Sequence, residues 1–139
     1  MEAIHLGDDR WCFACGENNP LGLKLKFTLD QHGQLHTSFT FRKEHQGYTD
    51  VVHGGFLGLI LDEVMLNLAW RLGVRAVTAG LELRFKKVVR VGDTVDFKGW
   101  IGERKNRLLK AQAVARDAAG EVVATAKAKC IVLGNTART

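Results

Sequence analysis

Two spacings of apolar residues divide the chain. Over residues 23–30, Leu23, Leu25, Phe27 and Leu29 alternate with Lys24, Lys26, Thr28 and Asp30, the two-residue period of a strand with one wet face. A short polar connection over 31–34 leads to a second alternation, Leu35, Thr37, Phe39 and Phe41 against His36, Ser38, Thr40 and Arg42, so the two runs predict a hairpin. A polar loop follows over 43–50. From 53 to 73 the spacing becomes helical, with Gly54-Gly55 at the start and Gly73 at the end, where glycine commonly stops a helix. Apolar residues surround this helix almost completely, and such a helix has to be enclosed by other structure.

The remaining chain predicts the enclosure, in strands over 76–88, 94–101, 108–116 and 122–133. Leu81, Leu83 and Phe85 alternate with Glu82, Arg84 and Lys86, and Ala124, Ala126, Ala128 and Cys130 alternate with Thr125, Lys127 and Lys129. Gly92-Asp93 and Ala119-Gly120 mark turns. The order β-β-α-β-β-β-β, without internal repeats, predicts an α+β fold in which a continuous antiparallel sheet wraps around one long central helix. The small residues Ala111, Ala113, Ala115, Ala124, Ala126 and Ala128 suit a close approach of sheet to helix or of sheet to sheet, and equally suit ordinary packing.

At 139 residues the chain is expected to form one domain over 1–139. Hydrophobic residues at 46% and charged residues at 25% match a soluble globular protein. The formal charge of +5 favours an anionic ligand without choosing between a phosphorylated cofactor and a nucleic acid. The chain offers neither a recognition helix nor an aromatic RNA-binding motif for the latter. Residues 1–10 carry Glu2, Asp8 and Asp9 and no apolar run, so they lack the core of a secretory signal and a cytoplasmic location is expected. The apolar run over 56–70 contains Asp62, Glu63 and Asn67 and is shorter than the roughly 20 residues of a membrane span.

Three cysteines predict no disulfide framework. Cys12 and Cys15 have the spacing of a metal-binding pair, but a structural site normally takes four ligands and there is no second close pair. No metal is therefore expected, because His5 and the other histidines could complete a site only by the accident of folding. A redox role lacks the βαβ context of such motifs.

The segment Val52-His53-Gly54-Gly55 and the helix that follows carry the candidate chemistry. Two glycines at a helix start let another molecule approach the backbone. The first turn adds unsatisfied N–H donors and the positive end of the helix dipole, a place able to stabilise an oxyanion. Asp62, seven residues after Gly55, shares a face with it and with Leu59, Leu66 and Ala69. A carboxylate on an apolar face must be paired, hydrated or used. It either hydrogen-bonds the helix to the sheet or to a second subunit, or it acts on a substrate. Glu63, rotated by about 100° and one turn from Asn67, reads as part of a polar strip with a structural role. His53 reads on its own as a loop histidine at the helix entrance.

The string QGYTDVVHGGFLGLILDE over 46–63 resembles the signature of hotdog-fold thioesterases of the PaaI-like type. CFACGENNPLGLKLKF resembles the N-terminal segment of a subgroup of these proteins, and TAGLELRFKKVVRVGD the strand and turn after their helix. The resemblance implies a hotdog fold and hydrolysis of an acyl-CoA-type thioester to acid and thiol, with no cofactor. It implies an active site shared across a homodimer or homotetramer. The acid nine residues after the motif histidine, here Asp62, would be the general base or nucleophile. The backbone N–H of Gly55 would polarise the thioester carbonyl beside Gly54 and His53, and Thr78 would help hold the attacking water. Gln46 stands nearest to a polar residue that some members use before the motif. Glu63, Arg84 and Lys86 are candidate substrate contacts, the two basic residues reaching the phosphates of coenzyme A; a solvated basic face is the other reading of these charges. Lys86-Lys87-Val88 stands where many relatives have a proline, a departure that touches local geometry. The alternatives are a non-catalytic acyl-CoA-binding protein and a hotdog dehydratase or hydratase, although the paired histidine and acid motifs of the latter are not seen.

Overall fold

The computed structural model describes residues 6–135; His5 and the four C-terminal residues lie outside it. The elements are β1 (Thr28–Leu29), β2 (Leu35–Thr40), a short 3-10 turn (Lys43–His45), α1 (Gly54–Arg71), β3 (Val74–Phe85), β4 (Thr94–Lys105), β5 (Leu108–Arg116) and β6 (Val122–Asn135). The six strands form one antiparallel sheet in the order β1-β2-β4-β5-β6-β3. This is the α+β hotdog arrangement, a sheet wrapped around one long helix.

The helix is held by small residues. On β5 and β6, Ala111, Ala113 and Ala115 stand directly opposite Ala128, Ala126 and Ala124. All six are buried in one core with Ile60, Leu61, Val64, Met65 and Leu68 of α1. On the neighbouring strand, directly opposite Ala113, a Cβ on Gly99 would come within 3.0–3.3 Å of Val64, so the backbone of β4 approaches α1 as closely as a glycine permits. The alternation read on the second run holds: Leu35, Thr37, Phe39 and Phe41 are all buried. The helix ends at Leu72, with Gly73 at φ 83°.

One expectation changes. The run over 23–30 is a strand only at Thr28–Leu29. Leu23 and Leu25 are buried as the alternation implies, but their N–H groups donate to the carbonyls of Phe13 and Ala14 at 2.9 Å and Lys24 adopts φ 54°. The segment packs beside the cysteine loop, and its hydrogen bonds are spent there instead of in the sheet. Most of the apolar surface of α1 is already buried within its own chain, whereas β3, an edge strand of 12 residues, leaves Leu81 41% and Phe85 53% exposed.

The core should therefore be most sensitive where β4 faces the helix. Phe97→Ala, at 1% exposure, is expected to cost about 3–5 kcal/mol in urea unfolding. Leu29→Ala, at 44% exposure, is expected to change stability by no more than about 0.5 kcal/mol. Comparable losses at both positions would contradict this location of the core.

Candidate active site

The site starts at the helix entrance. Val52 donates to Val89 O at 2.8 Å and His53 N–H to His45 O at 2.9 Å, which fixes the loop before α1. His45 is buried among Phe39, Phe41 and Phe56 in edge-to-face contacts, and its Nδ1 accepts from the Arg42 N–H at 2.9 Å. Burial, with the Arg42 charge beside it, lowers its pKa and favours the neutral ring. Sequence reading gave His45 no role; its position next to Gln46 was the only signal. Gln46 lies in the same loop, where its Oε1 accepts from the Asp50 N–H at 3.1 Å and holds the turn before the helix.

His53 is the N-cap of α1: its Nδ1 accepts the Gly55 N–H at 2.9 Å. The donor expected to face a carbonyl is thus already engaged by the adjacent imidazole. Among the described residues the Gly54 N–H has no acceptor, and it is the free donor of the first turn. A Cβ at Gly54 would lie 3.4 Å from the Phe85 ring. Open clefts of about 340 and 520 Å³ meet at Gly54, the first running over Phe85, Lys86 and Lys87, the second under Tyr48 and His53.

Asp62 sits on the same helix eight residues beyond Gly54, a rise of about 12 Å. Its Oδ1 accepts a 2.7 Å hydrogen bond from Thr78 Oγ1. The β3 ladder slips beside this threonine, with Thr78 opposite Cys130 and Gly80 opposite Lys129, a bulge of the kind that re-aims a side chain. No cation lies at ion-pair distance from Asp62 among the described residues. Burial raises its pKa above the ordinary 3.8, and the Thr78 hydrogen bond offsets part of that rise.

Glu63 points elsewhere. It meets Asn67 Nδ2 at 3.4 Å and Cys12 Sγ at 3.7 Å, and burial raises its pKa as well. The polar strip with Asn67 is present, and the residue stands among cysteines instead of with Asp62 and Thr78. Of the basic candidates, Arg84 pairs with Glu82 at 3.1 Å on the surface. Lys86 borders the first cleft, and Lys87 is tied to Asp117 and Glu121, each at 2.8 Å.

The thioesterase superfamily model matches residues 49–124, a span that holds the helix entrance, Asp62 and Thr78. The chain belongs to the thioesterase superfamily and is a thioester hydrolase. Among solved structures it is similar to the E. coli PaaI protein from the phenylacetic acid degradation operon, at 18% identity and TM-score 0.76, covering 82% of this chain and 83% of that one. It is also similar to a hypothetical thioesterase of Streptococcus pneumoniae solved with coenzyme A, at 18% identity and TM-score 0.75 over 80% and 90% of the two chains. A Streptococcus mutans protein solved with acetyl-CoA gives 18% identity and TM-score 0.75 over 80% and 90%. No curated protein matches the chain by sequence. No helix of the described residues is long and apolar enough to cross a membrane.

The raised pKa of Asp62 fixes the sign of a pH effect. The folded protein keeps that proton at pH values where the unfolded chain has lost it. The group's contribution to stability is therefore full below the unfolded value and is lost as pH rises through the folded one. Asp62→Asn removes this loss, so the variant is expected to melt above the wild type at neutral pH, with the gap closing as pH falls to about 4. Thermal melts across that range check it; a gap that widens on acidification would mean that Asp62 is held in its charged form by a favourable partner.

Proposed function

We propose that the protein hydrolyses acyl-CoA thioesters in a homodimer, at a site built from Asp62 and Thr78 of one subunit and the helix entrance of the other. The observation that carries this reading is the 2.7 Å Thr78–Asp62 hydrogen bond around a carboxylate with no cationic partner among the described residues. Such a carboxylate, its proton affinity raised by burial, is a competent general base. The solved S. pneumoniae thioesterase has two mutant forms, one with an aspartate and one with a threonine replaced by alanine. Those two positions are sixteen residues apart, the same separation as Asp62 and Thr78. Coenzyme A and acetyl-CoA in the similar streptococcal structures support the thiol half of the substrate, and the cleft beside Lys86 suits its phosphates.

Two subunits are needed for a geometric reason. A base and an oxyanion donor must both come within about 3 Å of one carbonyl group, yet Gly54 and Asp62 of one chain are about 12 Å apart along their helix. Edge strand β3 offers the remedy. Antiparallel pairing of two β3 strands about a two-fold axis at Glu82 sets Gly80 opposite the partner subunit's Arg84, and the extra residue of the bulge between Thr78 and Gly80 then leaves Thr78 beside the partner subunit's Phe85. Phe85 packs against Gly54 and Thr78 binds Asp62, so this register brings Asp62 to the partner subunit's Gly54. It also covers the exposed Leu81 and Phe85.

In this reading the Gly54 N–H and the helix dipole polarise the thioester carbonyl, and the Gly55 N–H keeps His53 in place as the cap. Water is held by Thr78 and Asp62. Asp62 takes its proton through Oδ2 as the oxygen attacks the carbonyl carbon. The tetrahedral oxyanion rests on the helix entrance, then collapses with cleavage of the C–S bond, and the leaving thiolate receives the proton from Asp62.

Thiol release from short, medium, long and aromatic acyl-CoA esters tests the reaction. Asp62→Asn at matched folding is expected to lose roughly 10²–10⁴-fold in kcat; retained activity would move the base elsewhere, and an inert wild type would reject acyl-CoA as substrate. Subunit mixing tests the shared site. Asp62→Asn and Gly54→Val homodimers are each expected to be inactive, whereas random co-assembly should restore about a quarter of wild-type activity, one intact site in half of the dimers. Mixed dimers without any recovery would refute a site divided between chains.

A further inference from the structure

We propose that Cys12, Cys15 and Glu63 form a binding site for a zinc-class divalent cation, which clamps the N-terminal loop to the central helix. Sequence spacing argues against a metal because it supplies only one close pair of ligands. Folding supplies a third donor from a residue 51 positions away. The donor atoms Cys12 Sγ, Cys15 Sγ and a Glu63 carboxylate oxygen all lie within 4.8 Å of one another.

The loop is shaped to aim both thiols one way. Gly16 N–H returns to Cys12 O at 2.8 Å, and Asn18 N–H to Arg10 O at 2.9 Å. A Cβ at Gly16 would lie 2.5 Å from Cys12 N and 2.6 Å from Arg10 O, so the turn closes on itself only because this residue has no side chain. The Leu23 and Leu25 N–H groups donate to the carbonyls of Phe13 and Ala14 and tie the loop to the segment that follows it.

The spacing fits a tetrahedral ion. Thiolate and carboxylate ligands at ordinary zinc distances are about 3.6 Å apart across a tetrahedral edge, and Cys12 Sγ is 3.7 Å from Glu63 Oε1. The charge also fits. Among the described residues no Lys, Arg or His lies at ion-pair distance from Glu63, although a half-buried carboxylate ordinarily requires a counter-charge. Two thiolates select zinc-class ions over magnesium or calcium. Asn67 turns its Oδ1 to Arg71 Nε at 2.8 Å, so the described residues supply three ligands and water suits the fourth position; the two thiol protons leave on binding. The clamp is independent of the reading of Asp62.

Full-length protein, purified without added metal and kept reduced, is assayed for zinc. After stripping, it is titrated with cobalt(II), whose thiolate charge-transfer absorption reports cysteine ligation. The expected result is one ion per chain, a cobalt–thiolate band, and a melting temperature raised by about 5 °C or more at saturation. Cys15→Ser should abolish the band and the shift. Glu63→Gln should weaken binding by at least the roughly tenfold that even outer partners of a metal site contribute. Cys130→Ser, on a buried strand position, should change neither, and circular dichroism establishes that each variant is folded. Sub-stoichiometric zinc without a cobalt band would overturn the proposal, as would unchanged binding in Glu63→Gln or a Cys12–Cys15 disulfide in freshly prepared protein.

Discussion

The packing of one apolar helix against a sheet lined with alanine is the contact on which the other features rest. Ala111, Ala113 and Ala115 stand opposite Ala128, Ala126 and Ala124, and Gly99 lies against Val64. A larger residue at any of these positions would lift α1 from the sheet. The proposed site needs the helix where it is, because its first turn offers the Gly54 N–H and its middle carries Asp62 to within 2.7 Å of Thr78 on the edge strand. A displacement of about one ångström would break that hydrogen bond, so the small residues of the core help to set the place of this carboxylate.

Two adjacent acids on this helix illustrate how burial produces different outcomes. Asp62 and Glu63 are both pushed up in pKa by loss of water. About 100° of helical rotation sends one to a hydroxyl on β3 and the other to thiols in the N-terminal loop. The first has a neutral partner that orients it without neutralising it, which suits the proton exchange proposed for it. The second is surrounded by donors that become anionic when they ionise, which suits a shared cation.

Much of the fold was legible because periodicity records which face is dry. The helix, the strand at Leu35–Thr40 and the four strands after the helix appear within a few residues of their predicted positions. The alternation over 23–27 was misleading for a physical reason: any extended segment with one side packed alternates, and the pattern does not say whether its N–H groups bond to a sheet or to a loop. In the site, the Asp62–Thr78 pair was legible through family resemblance, because the two are joined by a helix end and a turn that no local pattern resolves. The engagement of Gly55 by His53 depends on a side-chain torsion, and the meeting of Cys12 with Glu63 spans 51 positions; neither leaves a periodic trace.

Edge strand β3 also leaves a single chain open to unintended pairing. Its 12 residues carry an apolar set, Leu81, Leu83 and Phe85, relieved mainly by Glu82 and Arg84. One row of its backbone donors and acceptors is unpaired within a single chain. Such an edge accepts any extended segment that reaches it, not only the correct one. A single chain is therefore exposed to misassociation for as long as this strand stays bare.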